Sequence, residues 1–151
     1  MKKSNINGHA DKRKVNPEWF TDKTWMKVIS EKIKSKDQDI YHVHFENGSR
    51  TKLHFHNGNQ VLMAIKGKGS LELFKKFGSK KTEFKIKRIE RINLNEGDTV
   101  HIPAKTLHTH GSINKNEEFS HIAINILPKK NSVYKTTWYE SDFKNKVTKI
   151  I

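Results

Sequence analysis

The feature of this sequence that most constrains its fold is a succession of short apolar segments separated by turns rich in glycine and asparagine. From residue 39 onward, such segments cover residues 39–45, 53–56, 60–74, 82–94, 99–103 and 119–127. Several of them alternate apolar and polar residues with a period of two, which is the spacing of a half-buried β-strand. No long helical pattern occurs. The sequence therefore predicts an all-β sandwich or barrel.

The flanking segments are less regular. Residues 24–33 mix helical and strand signals, and we predict a strand there. Residues 132–147 are predicted to form a mixed C-terminal tail that packs Trp138 and Tyr139. Residues 1–16 are polar and basic, and we expect a flexible tail. Residues 17–151 are then enough for one domain with its own core.

The composition excludes several classes of protein. The 151 residues include no cysteine, so disulfides, thiolate metal sites and a cysteine nucleophile are excluded. No apolar run approaches the roughly 18 residues of a transmembrane helix. The N-terminus has no apolar stretch after its lysines, so it does not resemble a secretory signal peptide. We expect a cytoplasmic protein with no membrane partner.

The net charge of +14 raises the question of a nucleic-acid partner. The lysines are spread along the chain, only four arginines occur, and no helix-turn-helix, zinc-finger or RNA-binding spacing is present. One local excess lies between residues 66 and 91, where ten basic residues accompany three acidic ones. Lysines on a hairpin edge discourage strand–strand association, so we interpret this segment as a solvated edge and expect no nucleic-acid partner.

The segment HFHNGNQ, residues 54–60, is the strongest candidate for a functional site. In a strand, residues i and i+2 point to the same face, so His54 and His56 project together. Gln60 follows a short turn, and its amide oxygen can reach the same point. About 50 residues later, His108 and His110 share a face if their segment is extended. Imidazole nitrogens and an amide oxygen suit a divalent transition metal.

The spacing around these histidines resembles the paired motifs of the cupin superfamily. The first motif corresponds to Gly48, His54, His56, Gln60 and Gly67, with Gln60 at a position where most members have Glu. The second corresponds to Gly97, Pro103 and His108, and departs from the pattern at Lys105, where Gly is usual, and Gly111, where Asn is usual. The resemblance implies a single-domain jelly-roll β-barrel.

Stretches between about Pro17 and Leu127 are similar to small bacterial cupins of the carboxymuconolactone-decarboxylase-like type, which include manganese-dependent hydroxynitrile lyases. The resemblance implies that the metal ligands are His54, His56, Gln60 and His108. It also implies active-site roles for His110 and His121. The family's glutamine four residues after that last histidine is replaced here by Asn125.

Strand alternation adds an expectation for the cavity walls. His121, Ala123 and Asn125 share one face of their segment, whereas Ile122, Ile124 and Ile126 share the other. Such a strand fits a wall between a cavity and a second packed layer, which a partner protomer of a homodimer could supply. Tyr41 and Val43 are predicted to point inward, and His42 and His44 away. We therefore expect Tyr41, Val43 and Asn125 to contact a small-molecule substrate.

The remaining prominent residues receive simpler interpretations. Trp19 and Phe20 are predicted to be anchors that close the barrel or a dimer, not substrate-binding groups. Met63 is predicted to lie in the core, and His101 to be a structural or surface residue.

The proposed ligands suggest a function. Because all four are neutral, a bound divalent ion keeps its full charge and acts as a strong Lewis acid. The favoured interpretation is a lyase acting on a small hydroxylated or carbonyl substrate, with manganese preferred and iron, nickel, zinc or cobalt also compatible. Cyanohydrin cleavage is the best-defined example that the resemblance implies. The alternatives are a cupin dioxygenase that uses O₂ and a non-catalytic module that binds or senses a small ligand.

Overall fold

The computed structural model describes residues 1–7 and 13–151 of the chain. Its strands are β1 (Arg13–Lys14), β2 (Thr24–Val28), β3 (Gln38–Phe45), β4 (Leu53–His56), β5 (Gln60–Phe77), β6 (Phe84–Asn95), β7 (Thr99–Ile102), β8 (Leu107–Ser112), β9 (Phe119–Ile126), β10 (Thr136–Ser141) and β11 (Lys146–Ile150). The helices are a 3₁₀ turn at Pro17–Trp19 and a four-residue α1 at Ser30–Ile33. The prediction of an all-β protein is confirmed.

All strand pairs are antiparallel, and β5 joins two layers of strands. Its first half pairs with β9 and β7, and β9 leads through β3 and β2 to β1. Its second half pairs with β6 and β8. The order β6–β11–β10–β4–β8 then returns to β5, which closes the second layer into a barrel wall. This is the predicted jelly-roll barrel.

Apolar side chains form two buried clusters. One cluster includes Phe45, Leu62, Leu71 and Phe119 and lies between the two layers. The other includes Leu53, Phe74, Phe84 and Tyr139 and lies under the long β5–β6 hairpin. Burial of large apolar side chains supplies the main favourable free energy of folding, so these clusters hold the walls of the central cavity in place.

Three local predictions need correction. The strand predicted over residues 24–33 is present only to Val28, because the chain then turns into α1. The C-terminal segment is a hairpin of two barrel strands, β10 and β11, and it packs both predicted aromatics. Met63 is 41% exposed and is not a core residue. Val61, Leu62 and Met63 are all apolar, so alternation cannot indicate which of them points inward.

The N-terminal region contacts the barrel at several points. Strand β1 pairs with β2, and the Ile6 carbonyl lies 2.8 Å from Nδ1 of His42. Residues 8–12 of the predicted tail lie outside the described residues, and the division of the chain at residue 16 stays a prediction. Within the described part of the chain, no helix has the length and apolar character needed to cross a membrane.

Candidate metal centre

Strand pairing brings the histidines of both sequence motifs together. His54 on β4 is directly opposite His108 on β8, and their ring centroids are 4.2 Å apart. His56 lies two residues along β4, with its ring centroid 4.9 Å from that of His54 and 5.3 Å from that of His108. All three are buried. The same-face arrangement expected from the HxH spacing is therefore present.

Each of these rings is held through Nδ1. The Nδ1 atom of His54 lies 2.8 Å from the Lys52 carbonyl, and that of His108 lies 2.8 Å from the Thr106 carbonyl. A carbonyl only accepts, so in both residues Nδ1 carries the proton and the lone pair is on Nε2. Nδ1 of His56 is fixed by the Thr136 hydroxyl at 2.8 Å. Such contacts orient a histidine as a metal ligand.

Unsatisfied atoms indicate what the site is built to hold. Nε2 of His56, Oε1 of Gln60 and Nε2 of His108 are buried and have no hydrogen-bond partner in the part of the chain that the structure describes. The Gln60 amide is oriented by its Nε2 group, which donates to Oδ1 of Asn125 at 2.8 Å. Buried polar atoms without partners are costly and rare. Three lone pairs in one region fit a divalent cation.

A second grouping of histidines overlaps the predicted one. Potential ligand atoms of His54, His108 and His110 lie within 4.8 Å of one another. His110 also lies beside His121, with 3.1 Å between its Nδ1 and Nε2 of His121. His54 and His108 belong to both groupings. His56 and Gln60 complete the predicted set, whereas His110 links the centre to His121.

Burial keeps the whole cluster neutral. Desolvation is the largest cause that lowers the pKa of His56 to about 3 and of His108 to about 4, and neighbouring His108 also lowers that of His56. Desolvation lowers the pKa of His54 and His110 well below 6.5, and that of His121 to about 3. Metal binding requires neutral imidazole, so no proton has to be displaced from these rings at pH 7.

The centre opens into a cavity of about 450 Å³ between the two layers. Its lining includes the predicted substrate-contacting residues Tyr41, Val43 and Asn125, and both predicted catalytic histidines, His110 and His121. On β9, the face with His121, Ala123 and Asn125 lines the cavity, as the alternation predicted. The cavity is large enough for a small aromatic molecule.

Aromatic side chains form a wall that sequence reasoning missed. Trp138 stacks on His54 with a centroid distance of 4.3 Å, and Trp19 stacks on Trp138 at 5.2 Å. Tyr134 packs against His56 at 5.0 Å. Trp19 and Phe20 pack in the apolar cluster between the layers, as expected of anchors, and both also line the cavity. The pairing of Trp138 with His54 joins residues 84 positions apart, and no local pattern signals it.

His42, His44 and His101, which were predicted to have no part in the metal site, do not line the cavity. His42 and His44 point away from it, and both rings pack against Trp25 with centroid distances of 5.0 Å. His101 is exposed on β7.

Comparison with known proteins identifies the class. The family model for Cupin matches residues 31–149, which is most of the chain. The chain therefore belongs to the cupin family. No curated protein matches it.

Among solved structures, a cupin-like protein from Thermotoga maritima is 29% identical, with a TM-score of 0.62 and coverage of 85% of this chain and 84% of that one. The polyketide cyclase RemF from Streptomyces resistomycificus is 12% identical, with a TM-score of 0.63 and coverage of 83% and 79%. An oxalate decarboxylase is 22% identical, with a TM-score of 0.58 and coverage of 78% and 28%. The last two likenesses show the fold alone.

Proposed function

We propose that this cupin is a metal-dependent lyase that acts on a small hydroxylated or carbonyl substrate, with cyanohydrin cleavage as the reaction to test first. The observation that supports the proposal is the trio of buried lone pairs on His56, Gln60 and His108, next to a cavity that also holds a histidine pair. His54, His56, Gln60 and His108 would hold the ion, with manganese as the first candidate. Bound by four neutral ligands, a divalent ion supplies Lewis acidity that favours loss of a hydroxyl proton.

The residues of the chain divide the remaining work. The His110–His121 pair accepts the substrate's hydroxyl proton on the ring nitrogen that is left unprotonated outside the 3.1 Å contact between Nδ1 of His110 and Nε2 of His121, because that contact already holds one proton. The carbon–carbon bond to the nitrile then breaks, and its electron pair leaves with cyanide. The carbonyl of the aldehyde forms, and the His110–His121 pair returns the proton to cyanide. Atoms and charge balance without an oxidant.

Other residues position the substrate and limit access of water. Tyr41, Val43 and Asn125 contact its ring or side chain from the β3 and β9 walls. Phe45 packs against both catalytic histidines, at 5.9 Å from His110 and 5.4 Å from His121 between ring centroids. An apolar ring at that position holds the pair in place and keeps it out of water.

The homodimer remains part of the proposal. The outer face of the β9 and β5 layer carries Ile122, Ile126 and Met63, and the last two are 40% and 41% exposed. Met63 is directly opposite Ile122 in the strand register, and because Ile122 is buried, Met63 and Ile126 are the two of these side chains that are exposed. Covering Met63 and Ile126 with a second copy of the chain would bury apolar area, which favours association. A cytoplasmic location also stays a prediction.

The test is release of benzaldehyde from mandelonitrile by protein loaded with Mn(II). We expect wild-type protein to release it and His108→Ala to lose both bound metal and activity. His121→Ala should retain the metal and lose activity by roughly 10²–10⁴-fold, the range for a general base. His101→Ala removes an exposed histidine and serves as the matched control. Wild-type turnover in His121→Ala would contradict the role of that residue.

Failure of the reaction would point to the alternatives. If no benzaldehyde is released above the His108→Ala background, the cyanohydrin assignment is wrong. Oxygen uptake with a catechol or diketone would then support a dioxygenase. Tight binding of a small ligand without turnover would support a non-catalytic module.

A further inference from the structure

Few charged side chains line the cavity, although the protein as a whole is strongly basic. Among the described residues that line the cavity, Asp39 is the only one that belongs to the charged types Asp, Glu, Lys and Arg. Among the residues whose side chains the structure describes, no lysine or arginine lines the cavity, although the chain has a net charge of +14. The described side chains that line the cavity therefore offer an anionic substrate no lysine or arginine partner. They do offer one carboxylate, and it is half-buried.

Strand register places this carboxylate in line with the metal centre. Asp39 on β3 is directly opposite Asn125 on β9, and Asn125 is directly opposite Gln60 on β5. The three form a row across adjacent strands, and Gln60 is one of the proposed metal ligands. Two strand spacings separate the ends of the row by about 10 Å. A single aromatic ring with a substituent at each end spans that distance.

The described residues around Asp39 in the cavity are aromatic. Tyr41 and Tyr134 line the cavity with it. Burial, followed by Asp39 and Tyr41, raises the pKa of Tyr134 well above its ordinary value, so that hydroxyl stays protonated. Its long contacts of 3.5 and 3.4 Å run to the Gly58 and Asn59 carbonyls. Among the described residues at this end of the cavity, Asp39 is the carboxylate that can accept a strong, charge-assisted hydrogen bond.

We propose that Asp39 is a specificity-determining residue that binds a hydroxyl or protonated amine at the far end of an aromatic substrate and rejects substrates with a carboxylate there. The proposal deepens the proposed function and rests on it for the use of this cavity as the substrate site. It does not depend on which bond is broken, because it concerns the end of the substrate away from the metal ligands.

Three matched ligands test the proposal by isothermal titration calorimetry. They are 4-(hydroxymethyl)benzylamine, 1,4-benzenedimethanol and 4-(hydroxymethyl)benzoate, which share the ring and one hydroxymethyl group and differ in the other end. Binding is measured with full-length wild-type protein, with Asp39→Asn and with Asp37→Asn. Asp37 is exposed, lies outside the cavity and is two residues from Asp39, so its variant matches the change in net charge. Each protein is measured loaded with Mn(II) and after treatment with a chelator.

We expect wild-type protein and Asp37→Asn to bind the amine and the diol at least about tenfold more tightly than the benzoate, since a hydrogen bond to a charged group is worth about a factor of ten or more. In Asp39→Asn the preference for the amine over the benzoate should fall by about tenfold or more. A larger loss for the amine than for the diol would identify an ammonium group as the preferred donor, and equal losses would identify a hydroxyl.

Two results would overturn the proposal. The first is equal affinity of metal-free wild-type protein for the benzoate and the amine. This measurement needs no variant. The other is an amine-to-benzoate ratio that is the same in Asp39→Asn and Asp37→Asn. If the ratio shifts as expected but mandelonitrile is not cleaved, the role of Asp39 is supported and only the lyase assignment fails.

Discussion

The contact between Asn125 and Gln60 gives the sharpest prediction about the metal centre. Nε2 of Gln60 donates to Oδ1 of Asn125, which directs Oε1 of Gln60 away from Asn125 as a buried acceptor. Without that acceptor, the amide can rotate by half a turn and present its NH₂ group to the cation. We therefore expect Asn125→Ala to weaken metal binding although Asn125 is not itself a proposed ligand.

The expected loss of metal affinity in Asn125→Ala follows from the loss of one hydrogen bond. A neutral intramolecular hydrogen bond contributes about 0.5–1.5 kcal/mol. Loss of a residue that orients a metal ligand typically lowers affinity by about 10–100-fold, or about 1.4–2.8 kcal/mol. The two ranges overlap near 1.4 kcal/mol, so the Kd for Mn(II) should rise about tenfold in Asn125→Ala. Asn125→Asp keeps an acceptor at the same place and adds a nearby negative charge, so its affinity should equal or exceed that of the wild type.

Competition with a chelating dye measures both variants against wild-type protein. Circular dichroism of the metal-free proteins confirms that each is folded. Unchanged affinity in Asn125→Ala would refute the argument, because it would mean that the Gln60 amide needs no anchor or is not a ligand. Equal weakening in Asn125→Ala and Asn125→Asp would show that side-chain packing matters there and the hydrogen bond does not.

Two further predictions concern stability and assembly. In metal-free protein, burial lowers the pKa of His56 and His121 to about 3 and of His108 to about 4, against 6.5 when unfolded. Below pH 6.5 the folded state therefore binds fewer protons than the unfolded state. We expect the free energy of unfolding to be highest above pH 6.5 and to decline as the pH falls toward 4. Urea unfolding at several pH values checks this, and a midpoint that stays constant between pH 7 and 4.5 would contradict it. Met63→Glu should convert the proposed homodimer to a monomer in sedimentation experiments, whereas Ile89→Glu, at a 60% exposed position on β6, should not. A wild-type monomer, or a dimer that survives Met63→Glu, would refute this choice of interface.

Local spacing was enough to predict the parts of the site that lie on single strands. The period of two placed His54 with His56, and it separated His121 and Asn125 from the isoleucines of β9. The same rule failed at Met63, because a run of consecutive apolar residues contains no alternation to interpret. It also did not separate the helical from the strand signals in residues 24–33, because the four residues of α1 are too few to show a helical repeat.

The parts of the site that depend on distant strands could not be predicted in this way. Trp138 reaches His54 because β10 pairs with β4, and Thr136 reaches His56 for the same reason. The sequence resemblance ended near residue 127, so it carried no information about this hairpin. Asp39 was overlooked because an isolated aspartate at the start of a strand usually belongs to a solvated turn. Its importance depends on the register that places it beside Asn125.

The register of β9 connects the separate functions proposed for this cavity. Strand β9 supplies His121 to the proposed catalytic pair, Asn125 to the Gln60 amide, and Ile122 and Ile126 to the proposed dimer surface. A slip of one residue would reverse every side chain between the two faces. The catalytic pair, the oriented ligand and the apolar outer surface would then be lost together. Pairing with β3 on one side and β5 on the other resists such a slip. A dimer that covers the outer face would resist it further, because the buried isoleucines could not turn inward without exposing His121 and Asn125 to an apolar interface.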